Sequence, residues 1–372
     1  MNFLLLAGCA RWAPLVPLVE FDHERDPSVR AGVPETVLLA GLAASDGGVQ
    51  ALAAESLLRH PLPCGSEPGM CGLAPALALM HRDDDRVRLA VIAGLRSHPT
   101  TPEAGEHLWA LASGAATVDA RIRGFAAIAL AVRPDEVSRG RVVQVASEAP
   151  ASGAALGLAV AGAMAGAPDA RTKLEAIFRV STLPIEPGIF GELRDPDLPW
   201  RAAYRRVEPL ARPALLCGML QNAVPGALAD ATRLLHDADE GLRDDTAWSL
   251  ATCPVPAAGT ALRRSTMPAA RLARVARSEL PPAAAVADLG TDAWPDAVRA
   301  LGRRDDDAAH AVLRDFLFSG GDTEREAAAV ALARHPVIGD RPALESLATD
   351  ASLRTRVAAA AGLRRLSVSQ QD

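Results

Sequence analysis

Arg86 to Leu95 reads RVRLAVIAGL, and two other stretches of the 372-residue chain can be laid on it without a gap: RIRGFAAIAL from Arg121 to Leu130 and RTRVAAAAGL from Arg354 to Leu363. Each runs Arg, any residue, Arg, then small apolar residues that close in Gly or Ala and a Leu. In the first copy Val87, Ala90, Val91, Gly94 and Leu95 fall at i, i+3, i+4, i+7 and i+8, which is one stripe of an amphipathic helix. Small residues on that stripe let a neighbouring helix come close. Two looser copies, GLRDDTAWSL (241–250) and TEREAAAVAL (323–332), keep the second arginine and the closing leucine, so Arg88, Arg123, Arg243, Arg325 and Arg356 share one position.

Several of these helices stop alike, at His60-Pro61, His98-Pro99, Arg133-Pro134, Cys253-Pro254 and His335-Pro336. Proline past a helix end blocks its continuation. The histidines there read as caps on helix carbonyls rather than metal ligands. Before each motif helix stands a candidate partner helix: PETVLLAGLAAS (34–45), EAGEHLWALAS (103–113), GALADATRLLH (226–236), AAHAVLRDFLF (308–318) and RPALESLAT (341–349). The turns between carry Asp46, Asp85, Asp119, Asp239, Asp322 or Asp350, placed to accept hydrogen bonds from the first free amides of the next helix. A period of 30 to 40 residues with two helices per unit predicts an all-α fold without sheet, an α-solenoid of about eight to ten antiparallel helix pairs.

The Asp-turn, the Val87-Arg88 or Ile122-Arg123 pair and the small-residue helix closing in Leu together resemble HEAT-like repeats, including the type named after phycobilisome lyases. The resemblance covers most of residues 34–366. It implies that the recurring arginine belongs to an Asp and Arg ladder bridging successive repeats. It implies little about function, since such repeats serve scaffolds, enzyme subunits and adaptors alike. The leading expectation is a non-catalytic scaffold mediating protein–protein interaction. The alternative is a phycobilisome-lyase-type enzyme or enzyme accessory subunit with a ligand groove. The domain reading is a tether (1–33), repeats (34–178), an irregular interruption (179–199), repeats again (200–366) and a short tail (367–372).

Composition narrows the function classes. Hydrophobic residues make up 49% of the chain but aromatics only 3%, which suits thin layers between close helices and not an aromatic-lined pocket. Lys173 is the sole lysine, and such an Arg-rich, Lys-poor chain fits a GC-rich bacterial genome. The net charge of -6 argues against nucleic acid as a partner, and with it against a HEAT-like DNA-repair glycosylase, because counterion release needs a positive surface. No apolar run reaches the ~20 residues that span a bilayer.

Between Phe178 and Gly226 the alternation fails. RVSTLPIEPGIFGELRDPDLPW, ending at Trp200, holds four prolines and no helical stripe, and two short helical segments follow at 200–210 and 213–222. The stretch gathers Phe190, Trp200, Arg201, the sole tyrosine Tyr204, Arg205 and Arg206. Tyr, Trp and Arg are enriched at binding hot spots, so Phe190, Trp200, Arg201, Tyr204 and Arg205 are candidates for contact with a protein partner. The competing reading is that the aromatics plug a gap in the stack while the arginines are solvated.

Leu6-Ala7-Gly8-Cys9 matches the pattern at which bacterial lipoproteins are cleaved and lipidated, yet no basic head precedes it. Either the reading frame begins upstream, or the start was trimmed, or the match is accidental. The first case makes Cys9 a lipid attachment site at the cell envelope; otherwise a cytoplasmic location is expected. Cys64 and Cys71, in the Pro- and Gly-rich PLPCGSEPGMCG, are either a local disulfide or two thiols, whereas Cys217 and Cys253 on apolar helices read as buried packing residues. No short-spaced Cys pair or histidine cluster suggests zinc, and no catalytic motif or cofactor signature can be defended. The acidic runs at 83–85, 237–245 and 305–307 read as helix caps and a solvated edge.

Overall fold

The structure, a computed structural model, describes residues 34–368 except 60–61, 65–66, 72–75, 78, 82–83, 98–101, 116, 118, 181–182, 184–186 and 288–293. The lipid attachment candidate Cys9 and its tether lie outside the described residues, as do His60 and His98. All five motif copies are helical, in Asp85–Arg96, Ala120–Ala131, Glu240–Ala251, Asp322–Arg334 and Leu353–Val368. Their stripes are buried as the spacing requires, with Val87, Val91 and Leu95 in the first copy and Val357, Ala360 and Ala361 in the last. The partner helices are Pro34–Ala43, Pro102–Ala112, Ala227–Leu234, Asp307–Ser319 and Arg341–Leu347. Neighbouring helices pack on one another along the sequence, giving the all-α, solenoid-like architecture expected.

The aspartate turns cap as their position demands. Asp119 accepts from the amides of Arg121 and Ile122 at 2.8 and 3.0 Å, Asp239 from Leu242 at 3.0 Å and Asp46 from Val49 at 2.8 Å. Asp350 instead accepts from Ser352 ahead of the helix at 2.8 Å, and the Ser352 hydroxyl receives the Thr355 amide at 3.4 Å. Two further turns differ from the sequence reading. Asp84, not Asp85, receives the Arg86 amide at 2.9 Å, and Asp322 is already the first helical residue behind Gly321. A capping carboxylate must stand two or three residues before the free amides, and Asp85 and Asp322 stand one too late.

The shared arginines have mixed duties. Arg123, Arg243 and Arg356 turn back to donate to carbonyls of the turn before their own helix: Ala112 at 3.1 Å, Asp237 at 2.8 Å and Ala351 at 3.0 Å respectively. Ala112 is the last residue of its helix, whose end carbonyls lack helical partners, while the other two carbonyls belong to the turns. Arg325 makes the bridge between successive repeats that the resemblance implies, with Nε 3.3 Å from Asp350.

The described chain divides into two compact units. One spans 95–270. In it Ala120–Ala131 meets Leu156–Ala165 at Gly124 and Gly157, where a Cβ on Gly124 would stand 2.9 Å from the Gly157 Cα, so only glycine allows the approach. Residues 179–199 end one helix, Ala170–Val180, and include the single turn Pro187–Phe190. Trp200–Arg206 follows, then Arg212–Gln221, which packs on Glu240–Ala251 and so takes the place of a motif helix without carrying the motif.

The other unit joins residues up to 94 with those from 271 onward. Pro34–Ala43 and Gly47–Arg59 pack against Leu353–Val368, and a Cβ on Gly41 would meet a Val357 methyl at 2.9 Å. The first described helices thus stack on the last one as a further repeat would. Terminal repeats of an array otherwise need outer faces of their own that tolerate water.

One feature departs from the sheet-free expectation. Leu62–Cys64 pairs antiparallel with Glu67–Cys71, Leu62 opposite Cys71 and Cys64 opposite Glu67. The Pro- and Gly-rich connection doubles back on itself, and the backbone pairs over the few residues available. The side chains of the disulfide candidates Cys64 and Cys71 lie outside the described residues. Among the described residues no helix is long and apolar enough to cross a membrane.

Candidate functional site

The interruption is filled from within. Phe178, Phe190 and Trp200 are all at most 1% exposed and meet edge to face, with centroids 5.0 Å apart for Phe178–Trp200, 6.2 Å for Phe178–Phe190 and 6.5 Å for Phe190–Trp200. The indole Nε1 donates to the Asp195 carbonyl at 2.9 Å, so its polar atom is satisfied. Beneath the ring lies Gly218 of Arg212–Gln221, where a Cβ would stand 2.6 Å from the indole Cη2. The aromatic thus occupies the space that an ordinary repeat fills with a second small-residue helix.

Tyr204 is buried as well. The Arg212 guanidinium lies 5.6 Å from its ring centroid, and its hydroxyl accepts from Arg233 at 3.3 Å. Burial pushes the phenol pKa up, with Asp230 adding to it. Arg201 is engaged by the Asp230 carboxylate and the Pro225 carbonyl. Trp200 and Tyr204 therefore share a helix face, as their spacing of four requires, but that face is turned inward. Phe190, Trp200 and Tyr204 are corrected from an exposed patch to core; of the partner-contact candidates only Arg205 is exposed.

The cysteine reading also changes. Cys217, on Arg212–Gln221, and Cys253, just after Glu240–Ala251, are joined in a disulfide with Cα atoms 5.3 Å apart. They are buried, but as a bridge between two packed helices rather than as two thiols. The pair lies 36 residues apart, one repeat length, so stacking in register brings equivalent positions together.

A second cluster joins residues far apart in the sequence. In the unit that contains both chain ends, the row of helices Trp294–Leu301, Asp322–Arg334, Leu353–Val368 and Gly47–Arg59 brings arginines together near their C-terminal ends: Arg303, Arg334, Arg365 and Arg59. Arg59 pairs with Glu55 at 2.9 Å and Arg365 reaches the same carboxylate at 3.9 Å. Arg365 also donates to the carbonyls of Ala333, at 2.6 Å, and Arg334, closing the end of the neighbouring helix. The negative end of a helix dipole favours guanidinium there.

Their crowding shows in the proton affinities. Burial pushes Arg303 down to about 9, with the charges of Arg299 and Arg334 acting the same way. Burial takes Arg365 to about 10 although Glu55 opposes it. Arg59 and Arg334 are lowered by burial too. His335 is pushed to about 4 by burial first and then by Arg365 and Arg334, so at neutral pH it is uncharged while the arginines keep their charge. The signal is legible in part: Arg-His-Pro recurs at 59–61 and 334–336, with the arginine directly before the helix stop.

A third buried polar group ties the same unit together. His310 Nδ1 lies 2.6 Å from Asp340 and its Nε2 3.1 Å from the Arg304 carbonyl; Asp340 also receives the Val337 amide at 2.9 Å and Arg314 at 2.5 Å. Both ring nitrogens face acceptors, which favours the imidazolium. Desolvation opposes that charge, but the hydrogen bond and charge of Asp340 outweigh it and raise the His310 pKa. Among the described residues no group of three or more His, Cys, Asp or Glu is placed to hold a metal ion.

No family model matches the chain, and no curated protein matches it either.

Proposed function

We propose that the chain is a non-catalytic helical-repeat scaffold of the HEAT-like kind that holds a protein partner, and that it works in an oxidising compartment at the bacterial envelope, anchored by lipid on Cys9. The observation that carries this reading is the Cys217–Cys253 disulfide between two packed repeat helices. Disulfides persist outside the reducing cytosol. A bridge between stacked helices stiffens the array, which serves a surface that must present a partner in fixed geometry.

The partner-facing candidate left at the interruption is Arg205, exposed on a helix whose inner face is clamped by Trp200 and Tyr204. The test combines three measurements. Coding sequence in frame upstream of Met1 should allow fatty-acid labelling that Cys9→Ser abolishes. Alkylation of the protein denatured without reductant should leave Cys217 and Cys253 unmodified. Crosslinking in cells should give a discrete partner band that Arg205→Glu weakens at unchanged melting temperature. Absence of labelling together with free thiols would refute the envelope assignment, and crosslinking indifferent to Arg205→Glu would remove that residue from the partner surface.

The alternative, an enzyme or accessory subunit with a ligand groove, draws its support from the arginine cluster. It would show as small-ligand binding coupled to turnover by the purified chain alone.

A further inference from the structure

A histidine buried in a helical stack can stay neutral when one ring nitrogen finds an acceptor and the other a donor. His310 has no such pair. Its side chain is 1% exposed, and each ring nitrogen faces a group that only accepts: the Asp340 carboxylate 2.6 Å from Nδ1 and the Arg304 carbonyl 3.1 Å from Nε2. Both bonds form together only when the imidazole carries two N–H donors, and therefore a charge.

The two acceptors belong to different connections of the chain. Arg304 lies in the turn between Trp294–Leu301 and Asp307–Ser319, and its guanidinium donates to the carbonyls of Val275 at 3.1 Å and Leu280 at 2.7 Å. Asp340 lies between Asp322–Arg334 and Arg341–Leu347, and holds the Val337 amide at 2.9 Å and Arg314 at 2.5 Å. His310 links the two, so three successive connections, at 275–280, 302–306 and 337–340, hang on one ring.

We propose that His310 is a proton-operated clasp: doubly protonated, it ties the 302–306 turn to the Val337–Asp340 connection, and on losing one proton it lets that turn go while the rest of the chain stays folded. The neutral ring keeps its Nδ1–H toward the carboxylate, which attracts it more strongly than a carbonyl does. The Nε2 lone pair is then left against the Arg304 oxygen. Two acceptors at that distance repel, and a buried carbonyl stripped of its donor is unfavourable, so the turn shifts and Arg304 loosens its hold on Val275 and Leu280.

The surrounding charges set the direction of the switch. Asp340 favours the imidazolium, while burial and Arg314 of the same helix oppose it, and the balance lies above the ordinary histidine value of 6.5. Asp306 is taken by Arg304 at 2.5 Å, Asp305 acts on His335, and Asp307 and Asp315 are exposed. On the adjoining Asp322–Arg334, Arg325 pairs with Asp322 and Asp350, and Glu326 pairs with Arg354. Glu324 there lies over Gly321, and Arg334 acts on Arg303 and His335. Trp294–Leu301 brings Asp296 and Arg299, which act on each other, and Pro282–Ala285 brings no charge. The clasp is thus closed below 6.5 and opens as pH rises through the higher folded value. This inference does not depend on the scaffold reading.

The test follows the whole purified chain from mildly acidic to mildly alkaline pH by nitrogen NMR of the histidine rings and by amide hydrogen exchange, corrected for the intrinsic rate. The ring signal absent from His310→Gln should titrate above 6.5, with both nitrogens protonated on its acid side. Across the same midpoint the amides of 302–310 should lose about tenfold in protection, as expected for one charge-assisted hydrogen bond, while Ala120–Ala131 in the other unit keeps its own. His310→Gln should make the 302–310 protection independent of pH. Arg314→Gln, which removes the opposing charge from a partly exposed position, should move the midpoint to higher pH. If His310→Gln does not fold, the wild-type titration and Arg314→Gln decide alone. A His310 that titrates at or below 6.5, protection that does not follow its titration, a loss shared equally by 120–131, or a midpoint lowered by Arg314→Gln overturns the proposal.

Discussion

The interruption around Trp200 and the helix ends around Arg334 are the two places where the repeat pattern carries something extra, and they resolve in opposite ways. At the first, irregular sequence conceals a closed core: three aromatic rings fill the gap, the indole N–H is satisfied, and Gly218 lets the ring sit flush. At the second, regular sequence conceals a long-range pairing: each arginine occupies an ordinary helix-end position, but Arg59 and Arg365, from opposite ends of the chain, share the Glu55 carboxylate. Sequence irregularity is thus a poor guide to function in a stacked array, since a missing helix must be replaced by something bulky.

The largest expected effect tests the closed core. Trp200→Ala should destabilise the protein by about 4 kcal/mol in urea denaturation, since truncation leaves a cavity over Gly218 that its neighbours cannot collapse into. A change below 1 kcal/mol would show the ring to be dispensable packing and reopen it as a binding anchor. Next comes the bridge in the same unit. Reduction, or the paired Cys217→Ser and Cys253→Ser exchange, should cost up to about 4 kcal/mol, the scale for a loop of 36 residues in the chain-entropy model.

A smaller effect belongs to the other unit. His310→Gln should cost about 2 kcal/mol at pH 6 by removing charge-assisted hydrogen bonds from a buried group. The pH dependence has a definite sign. His310 has a folded pKa raised above its ordinary value near 6.5, so its contribution is complete below that value and is lost as pH rises through the folded pKa. Asp340 is depressed despite burial, chiefly by its hydrogen bond from His310, so its contribution is present above the ordinary carboxylate range and is lost as pH falls through its lower folded pKa. Stability should therefore decline on both sides of a plateau, and His310→Gln should flatten the alkaline limb. The smallest effect sharpens the contrast most: Arg334→Gln, at an exposed position, should leave stability within about 0.5 kcal/mol of wild type, against the several kcal/mol of Trp200→Ala.

The helices, their aspartate caps and the repeat length were legible because each depends on residues three or four apart, or on a turn of a few residues. Asp119 and Asp239 cap where their spacing says they should, and Val87 to Leu95 bury the stripe their order lays out. Trp200 and Tyr204 were correctly placed on one side of a helix, yet sequence periodicity does not say whether that side meets solvent or Gly218.

Local order was therefore determined by the sequence alone: which segments are helical, where they start and stop, and which side chains share a face. Only the tertiary structure decided that Cys217 and Cys253 meet, that the first helices stack on the last, and that Arg59 and Arg365, about three hundred residues apart in the chain, share Glu55. The physical reason is range. A helix stripe is set by hydrogen bonds that close within one turn, whereas the meeting of two helix ends depends on how whole helices pack, which no spacing of a few residues encodes.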